Sequence, residues 1–200
     1  KVLVMRIFIA VIVLIFNLQS WTKANDISEF EIEGMSIGDS ALKFFTQKQI
    51  IKNSRVDHYT NNKYTPVQND FLDFFKIYDA VDFNFQSNDS DFTIVSLSGV
   101  IIYDDNNIEN CYPKMKEIIR DLEVEFSNLD QSEIGTKIHP SPKNKSRKST
   151  YTYKYFYFSN DDMISVTCYD YSKEHGSQDH LNLNLQTKDF GHWLSYEAYK

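Results

Sequence analysis

Two imidazoles and a carboxylate lie within one short segment, KEHGSQDH: His175, Asp179 and His180. Imidazole nitrogen and carboxylate oxygen are donors that zinc accepts, and the same groups can move protons to and from a bound water. That would be the chemistry of a small, metal-assisted hydrolase. The segment has neither the H-E-x-x-H spacing nor a distant further ligand, and its Gly, Ser and Gln mark a polar turn between strands. The spacing favours the turn, so no metal or cofactor is expected, and these three residues stand as the weak candidates for one. His58, His139 and His192 each stand without a neighbouring Ser or acid that would suggest a triad.

Carboxylates and amides also gather at YDDNNIEN and SNDSD. Both lack the central Gly and terminal Glu of an EF-hand calcium loop, and turn and helix-cap roles account for them. Paired acids for glycoside chemistry leave no local spacing and find no support here. The basic run Lys143, Lys145, Arg147 and Lys148 is a candidate contact for an anion or an acidic partner; a solvated loop explains the same charges. No phosphate-binding glycine loop, dinucleotide fingerprint or G-x-S-x-G elbow occurs. Cys111 and Cys168 sit in neither a C-x-x-C pair nor a Gly-rich elbow, so they read as one structural disulfide and not as a nucleophile.

The elements that must position these residues are read from periodicity. Phe30 and Ile32 alternate as a short strand that Gly34 breaks. Ser36 and Asp39 are spaced as a capping box for a short helix over about 39–45 that would bury Leu42 and Phe45, and Thr46 caps a second turn, QKQIIKN. Residues 54–67 read as loop plus an extended piece that Pro66 restricts to a sheet edge. The run FLDFFKIY (71–78) fits strand or short helix equally. Val81, Phe83 and Phe85 alternate with polar residues as a half-buried strand, and FTIVSLSGVIIY (92–103) is apolar on both faces, as a central strand is. Gly99 within it suggests a bulge or a close approach.

Asp104–Asn107 offers a cap for the one long helix. Its apolar residues recur at Ile108, Cys111, Met115, Ile118, Leu122 and Phe126, which places Cys111 in the first turn facing the sheet. Pro113 is tolerated only near such a start. Residues 132–150, with Pro140, Pro142 and the basic run, read as a long mobile loop. Strands follow at 151–158, 163–169 and 181–186, and a final short helix, capped by Asp189, would bury Phe190, Trp193 and Leu194. The expected fold is α+β: an antiparallel sheet of about five strands, one long helix packed on one face, and short helices near both ends.

The first 24 residues are organised differently. Arg6 precedes the apolar run IFIAVIVLIF, and Thr22 and Ala24 close a more polar stretch, as in an export signal cleaved after Ala24. The run is short for a spanning helix, which needs about 20 apolar residues. Met5 reads as the natural start, and residues 25–200 as one domain with no transmembrane span. Losing Lys1, Arg6 and Lys23, and no acid, takes the net charge from −7 to −10. So acidic a chain is repelled by nucleic acid and by anionic lipid.

IEGMSIGDSALKFF, NCYPKMKEI, VTCYDYS and the closing EAYK together resemble a family of small exported bacterial proteins of unknown function, over most of the chain after residue 24. That family carries no known activity, so the resemblance transfers no catalytic residue. Gly34-Met35-Ser36 is similar to the helix start of small outer-membrane assembly lipoproteins and of β-lactamase-inhibitor-like domains, which are interaction modules; the lipidated Cys of the former is missing. The expectation is a periplasmic or secreted, non-enzymatic interaction or binding module, its partner an unidentified protein or small ligand of the cell envelope. The alternative is the small hydrolase built on His175, Asp179 and His180, and a third reading places a small apolar ligand between helix and sheet.

Overall fold

Antiparallel pairing organises this chain from Tyr64 to Gln186. The computed structural model describes residues 26–70, 75–103, 107–141 and 143–200. The export signal read over 1–24, part of FLDFFKIY and most of the Asp104–Asn107 cap lie outside the described residues. Eight strands, β1 (Tyr64–Asp70), β2 (Ala80–Gln86), β3 (Ser96–Ile102), β4 (Asp130–Gln131), β5 (Gly135–Ile138), β6 (Thr150–Tyr157), β7 (Met163–Asp170) and β8 (His180–Gln186), form one open sheet in the order β1-β2-β3-β8-β7-β6-β4. β5 also pairs with the outer edge of β6, and every pairing is antiparallel. Among the described residues, three α-helices accompany it: α1 (Gln47–Asn53), α2 (Cys111–Glu125) and α3 (Lys188–Tyr196).

The α+β class therefore holds, while the sheet is larger than the expected five strands and α2 is one helix of three. The additional strands are edges. β1 carries Thr, Pro, Gln and Asn, and its Pro66, which has no N–H to donate, is tolerated because β1 ends the sheet. β4 and β5 are short and mostly exposed, and pair only with β6. β4 immediately precedes the long loop read over 132–150, and β5 occupies its start. What remains between β5 and β6 is tied down: Asn144 Nδ2 donates to the carbonyls of His139 and Ser149 at 2.9 Å each, and Ser149 N–H donates back to Asn144 Oδ1 at 3.0 Å.

One face of the sheet is apolar and covered. Val81, Phe83, Leu97, Leu181, Leu183 and Leu185 share it with Ile164, Val166 and Phe156 of β7 and β6. Helix α2 lies against β7 and β8 and buries Cys111, Met115, Ile119 and Leu122 there. Ile119 faces the sheet and Ile118, expected in that stripe, is partly buried beside it. Residues 26–50 cover the rest, with Met35, Ala41, Phe45 and Ile50 in the same core. Cys111, in the first turn of α2, is bonded to Cys168 in the middle of β7 across a Cα–Cα distance of 6.0 Å.

Local chemistry sets the details. Thr46 and Gln49 form a reciprocal capping box at the start of α1. The expected helix over 39–45 is a single 3-10 turn, Ala41–Lys43, capped by Ser40; it buries Ala41 and Phe45 and leaves Leu42 exposed. Instead of a strand at Phe30 and Ile32, the backbone makes a tight turn in which Ile32 and Met35 exchange both hydrogen bonds around Glu33 (φ 52°) and Gly34 (φ 80°). Thr187, not Asp189, caps α3, accepting from the Phe190 N–H; Phe190 and Trp193 are buried and Leu194 partly so. At Gly99 the close approach is a ring: a Cβ there would stand 2.6 Å from Tyr78 carbons. Among the described residues, no helix is long and apolar enough to cross a membrane.

The disulfide closes a separation of 57 residues and ties the long helix to the sheet. Chain-entropy arithmetic gives it about 4 kcal/mol. Cys111→Ala/Cys168→Ala should lower the denaturant midpoint by a corresponding amount, read by urea titration, and reductant should shift the parent chain but not the variant. Gly99→Ala should cost about 1–3 kcal/mol in the same titration, because the Tyr78 ring must be displaced.

Candidate functional site

The sheet's second face is built from the alternate residues of the same strands, and it is polar. Register brings Gln68, Asp82, Ser98, Asn184, Ser165 and Tyr155 into one row across six strands. The rows on either side place Asn182 beside Thr167, and Asn84, Ser96 and Gln186 in line. All of these except Gln68 and Asp82 line a groove of about 470 Å³, a size typical of small-molecule sites.

Both long walls are aromatic. Tyrosines at alternate positions of β6 stack on one another, Tyr153 against Tyr155 at 4.7 Å between ring centres, and Tyr151, Tyr155 and Tyr169 line one side. The other side is formed by His58, Tyr59, Tyr199 and the Phe190–Leu194 face of α3. That side rests on a small second core in which Tyr59, Tyr64 and Phe190 pack around Trp193. Tyr59 reaches down to the floor, its hydroxyl donating to Asn84 Oδ1 at 3.1 Å. At the centre, Asn184 Nδ2 lies 2.8 Å from Ser98 Oγ and 3.2 Å from Ser96 Oγ, so its donor is committed to β3 while Oδ1 remains an acceptor.

The floor is recessed. Ser96 is 1% exposed, Thr167 5% and Ser165 8%. A merely solvated antiparallel face would carry long charged side chains at such central positions. The walls also hold their protons. Burial first, and then neighbouring phenols, push Tyr155 and Tyr169 well above the ordinary phenol range; burial, Tyr199 and Asp82 do the same to Tyr59. Burial and the nearby Arg55 lower His58, which favours neutral imidazole.

Asp82 continues the central row on β2, beyond the groove's lining. Burial, with Asp70 next, pushes its carboxyl up to about 7, against the opposing effect of the Asn69 N–H, Gln68 and Arg55.

His175, Asp179 and His180 lie past the end of this groove, and they do not converge. Asp179 is buried and accepts the Tyr171 N–H at 2.7 Å, while its own carbonyl accepts from Tyr103. His175 Nδ1 pairs with Ser177 Oγ at 3.0 Å, and its buried Nε2 makes no hydrogen bond. His180 Nδ1 lies 3.0 Å from the Gln178 carbonyl, and burial lowers its pKa. The two imidazoles belong to an aromatic stack: His175 on Tyr171 at 4.4 Å and His180 on Tyr169 at 4.7 Å. His139, isolated in the sequence, joins it 5.4 Å from His175. Among the described residues, no group of three or more His, Cys, Asp or Glu is placed to hold a metal.

Lys143, Lys145, Arg147 and Lys148 are all exposed on the turn before β6 and do not line the groove. The turn is held to the next hairpin by the Ser146 N–H, which donates to Glu174 Oε1 at 2.7 Å. A second cleft, about 520 Å³, lies between Phe30, Tyr78, Ile118 and Leu122 under a rim that includes Glu29, Glu31, Asp121 and Glu125. It is the place where helix and sheet could hold an apolar ligand.

The groove residues carry no catalytic motif in the sequence, because Ser, Thr and Asn at alternate strand positions form none. Their signal is the alternation itself: Leu-Asn-Leu-Asn-Leu-Gln in β8 and the i, i+2, i+4, i+6 tyrosines of β6. Compared with family models, with curated proteins and with solved structures, the chain finds no match.

Asp82 supplies a test of the electrostatics of the polar face. Its folded pKa near 7 lies above the ordinary 3.8, so the folded chain holds a proton that the unfolded chain releases. Stability from this group is therefore full below about pH 4 and falls as pH rises through 7. Asp82→Asn should raise the melting temperature at pH 8 relative to the parent, corresponding to a stability gain on the order of a few kcal/mol at most. At pH 4 thermal melts should show little difference.

Proposed function

We propose that this protein is an exported, non-enzymatic binding module that takes its ligand in the groove on the polar face of the sheet. The observation that carries the reading is the combination of a recessed, uncharged floor (Ser96, Ser165 and Thr167) with aromatic walls, in a chain of net charge −7. Binding sites of this kind are mostly apolar surfaces with a few converging polar groups that fix orientation. The groove carries both kinds of surface, with polar groups in the larger share, and the candidates for catalysis are engaged elsewhere: Asp179 with a backbone N–H, His175 and His180 in ring stacks.

Export is supported by the buried Cys111–Cys168 bridge, which suits an oxidising compartment, and by the charge and apolar pattern of residues 1–24. The resemblance to small exported bacterial proteins points the same way. The partner is a ligand of the cell envelope or the extracellular space.

Nitrogen-15 NMR of residues 25–200 tests the binding face. With a mixture of uncharged, cationic and anionic small molecules, the uncharged members should shift the Asn182 and Asn184 side-chain amides and the backbone of β3, β7 and β8. Shifts confined to Phe30, Tyr78 and Leu122, around the cleft beneath α2, would move the site there and defeat the proposal.

A further inference from the structure

We infer that the ligand of the groove is a neutral oligosaccharide. This rests on the reading of the polar face as the binding face and goes further by naming the ligand's chemistry. A sugar ring has two kinds of surface. Its hydroxyls each donate and accept, and its C–H faces are apolar.

The floor answers the hydroxyls. Asn182 and Gln186 present amide donors and acceptors, Asn184 presents its Oδ1 acceptor, and Ser98, Ser165 and Thr167 present hydroxyls that can do either. All six are uncharged, so a hydroxyl can replace water there without stranding an ion in a recessed site. The walls answer the C–H faces. Tyr151, Tyr155 and Tyr169 stand opposite Tyr59 and Tyr199, which gives the groove apolar, polarisable sides whose phenol tips can still hydrogen-bond.

Other occupants fit less well. A phosphorylated or carboxylated ligand would call for Arg or Lys in the lining, and the lining has none. Arg55 stands outside it, hydrogen-bonded to Gln68. An extended peptide binds by adding to a free sheet edge, whereas the floor belongs to β3, β8 and β7, whose backbones are paired on both sides. A purely apolar ligand would leave the asparagines and serines unmatched once water is expelled. The basic turn at Lys143–Lys148 lies off the groove, so the chain's clustered cations do not bias the site toward anions.

The test uses residues 25–200 with the disulfide intact. A glycan array of neutral and acidic oligosaccharides identifies hits, and each hit is then titrated by calorimetry and nitrogen-15 NMR. A neutral oligosaccharide should bind saturably, with an affinity that changes little between low and high salt, and should shift the Asn182 and Asn184 amides. Tyr155→Ala and Asn184→Leu should each weaken it by about tenfold or more, while Tyr155→Phe, which keeps the ring, should retain binding. Melting curves establish that each variant is folded; Thr167→Val serves as a second floor variant if Asn184→Leu is not.

Binding of acidic glycans alone, binding that survives the floor and wall substitutions, or no saturable neutral binder on the array would each overturn the inference. If saccharides fail while other uncharged probes still shift the groove amides, the sugar is wrong and the binding face stands. If every probe shifts residues elsewhere, both fall.

Discussion

The pairing of β3 with β8 is the constraint on which the rest of this protein depends. It joins two antiparallel meanders, β1-β2-β3 and β6-β7-β8, that are separated in the chain by helix α2. Its register, Leu97 opposite Leu185 and Ser98 opposite Asn184, assigns every side chain in the middle of the sheet to one face or the other. Because the strand period is two residues, a slip by one would carry Leu181, Leu183 and Leu185 into the groove and the asparagines into the core. The cost of burying those amides among Phe83, Val166 and Met115 fixes the register more firmly than any turn could. Asn184 adds a direct check, since its hydrogen bonds to Ser96 and Ser98 exist in one register alone.

Once that register is set, the covering of the two faces is unequal. The apolar face takes α2 and residues 26–50, and the Cys111–Cys168 bond pins the helix start to β7. The polar face receives α3 near the Tyr64 end, where Trp193 packs on Tyr59 and Tyr64. The tyrosine ladder of β6 rises on the other side. A groove results because the middle strands carry short side chains, Ser, Thr and Asn, while β6 and α3 carry large rings. The neutrality of that groove follows from its lining, which carries no acid and no Lys or Arg, and from the same burial, since phenols shielded from water hold their protons.

What was legible in the sequence was what short-range physics decides. The capping box at Thr46 and Gln49 is a three-residue relation and forms as read. The stripe from Cys111 to Leu122 gives α2, and the alternation in β2, β7 and β8 gives strands. The edges were legible only in part: Pro66 marked an extended edge piece where β1 begins, whereas β4 and β5 bury too little on either side to show a period, and their existence depends on pairing with β6. Side-chain assignments within one turn failed for a similar reason. Leu42 is the larger apolar residue, yet Ala41 faces the core, because Ser40 caps a 3-10 turn where an α-helix was expected.

The site was the least legible part, and the reason lies in how it is made. Catalytic and metal motifs show themselves in sequence when one loop or helix supplies several of the groups. Here each strand supplies two or three unremarkable polar residues, and the groove exists only after β3, β8, β7 and β6 lie side by side. His139 makes the same point from the opposite direction: it looked solitary, and the pairing of β5 with β6 brings it against Tyr171 and His175. The cluster that looked most chemical, KEHGSQDH, serves to close the β7–β8 connection, with Asp179 holding the Tyr171 and Tyr103 backbones together. A polar sequence cluster and a polar site thus have different origins in this fold: the first satisfies a turn, and the second is the uncovered half of an amphipathic sheet.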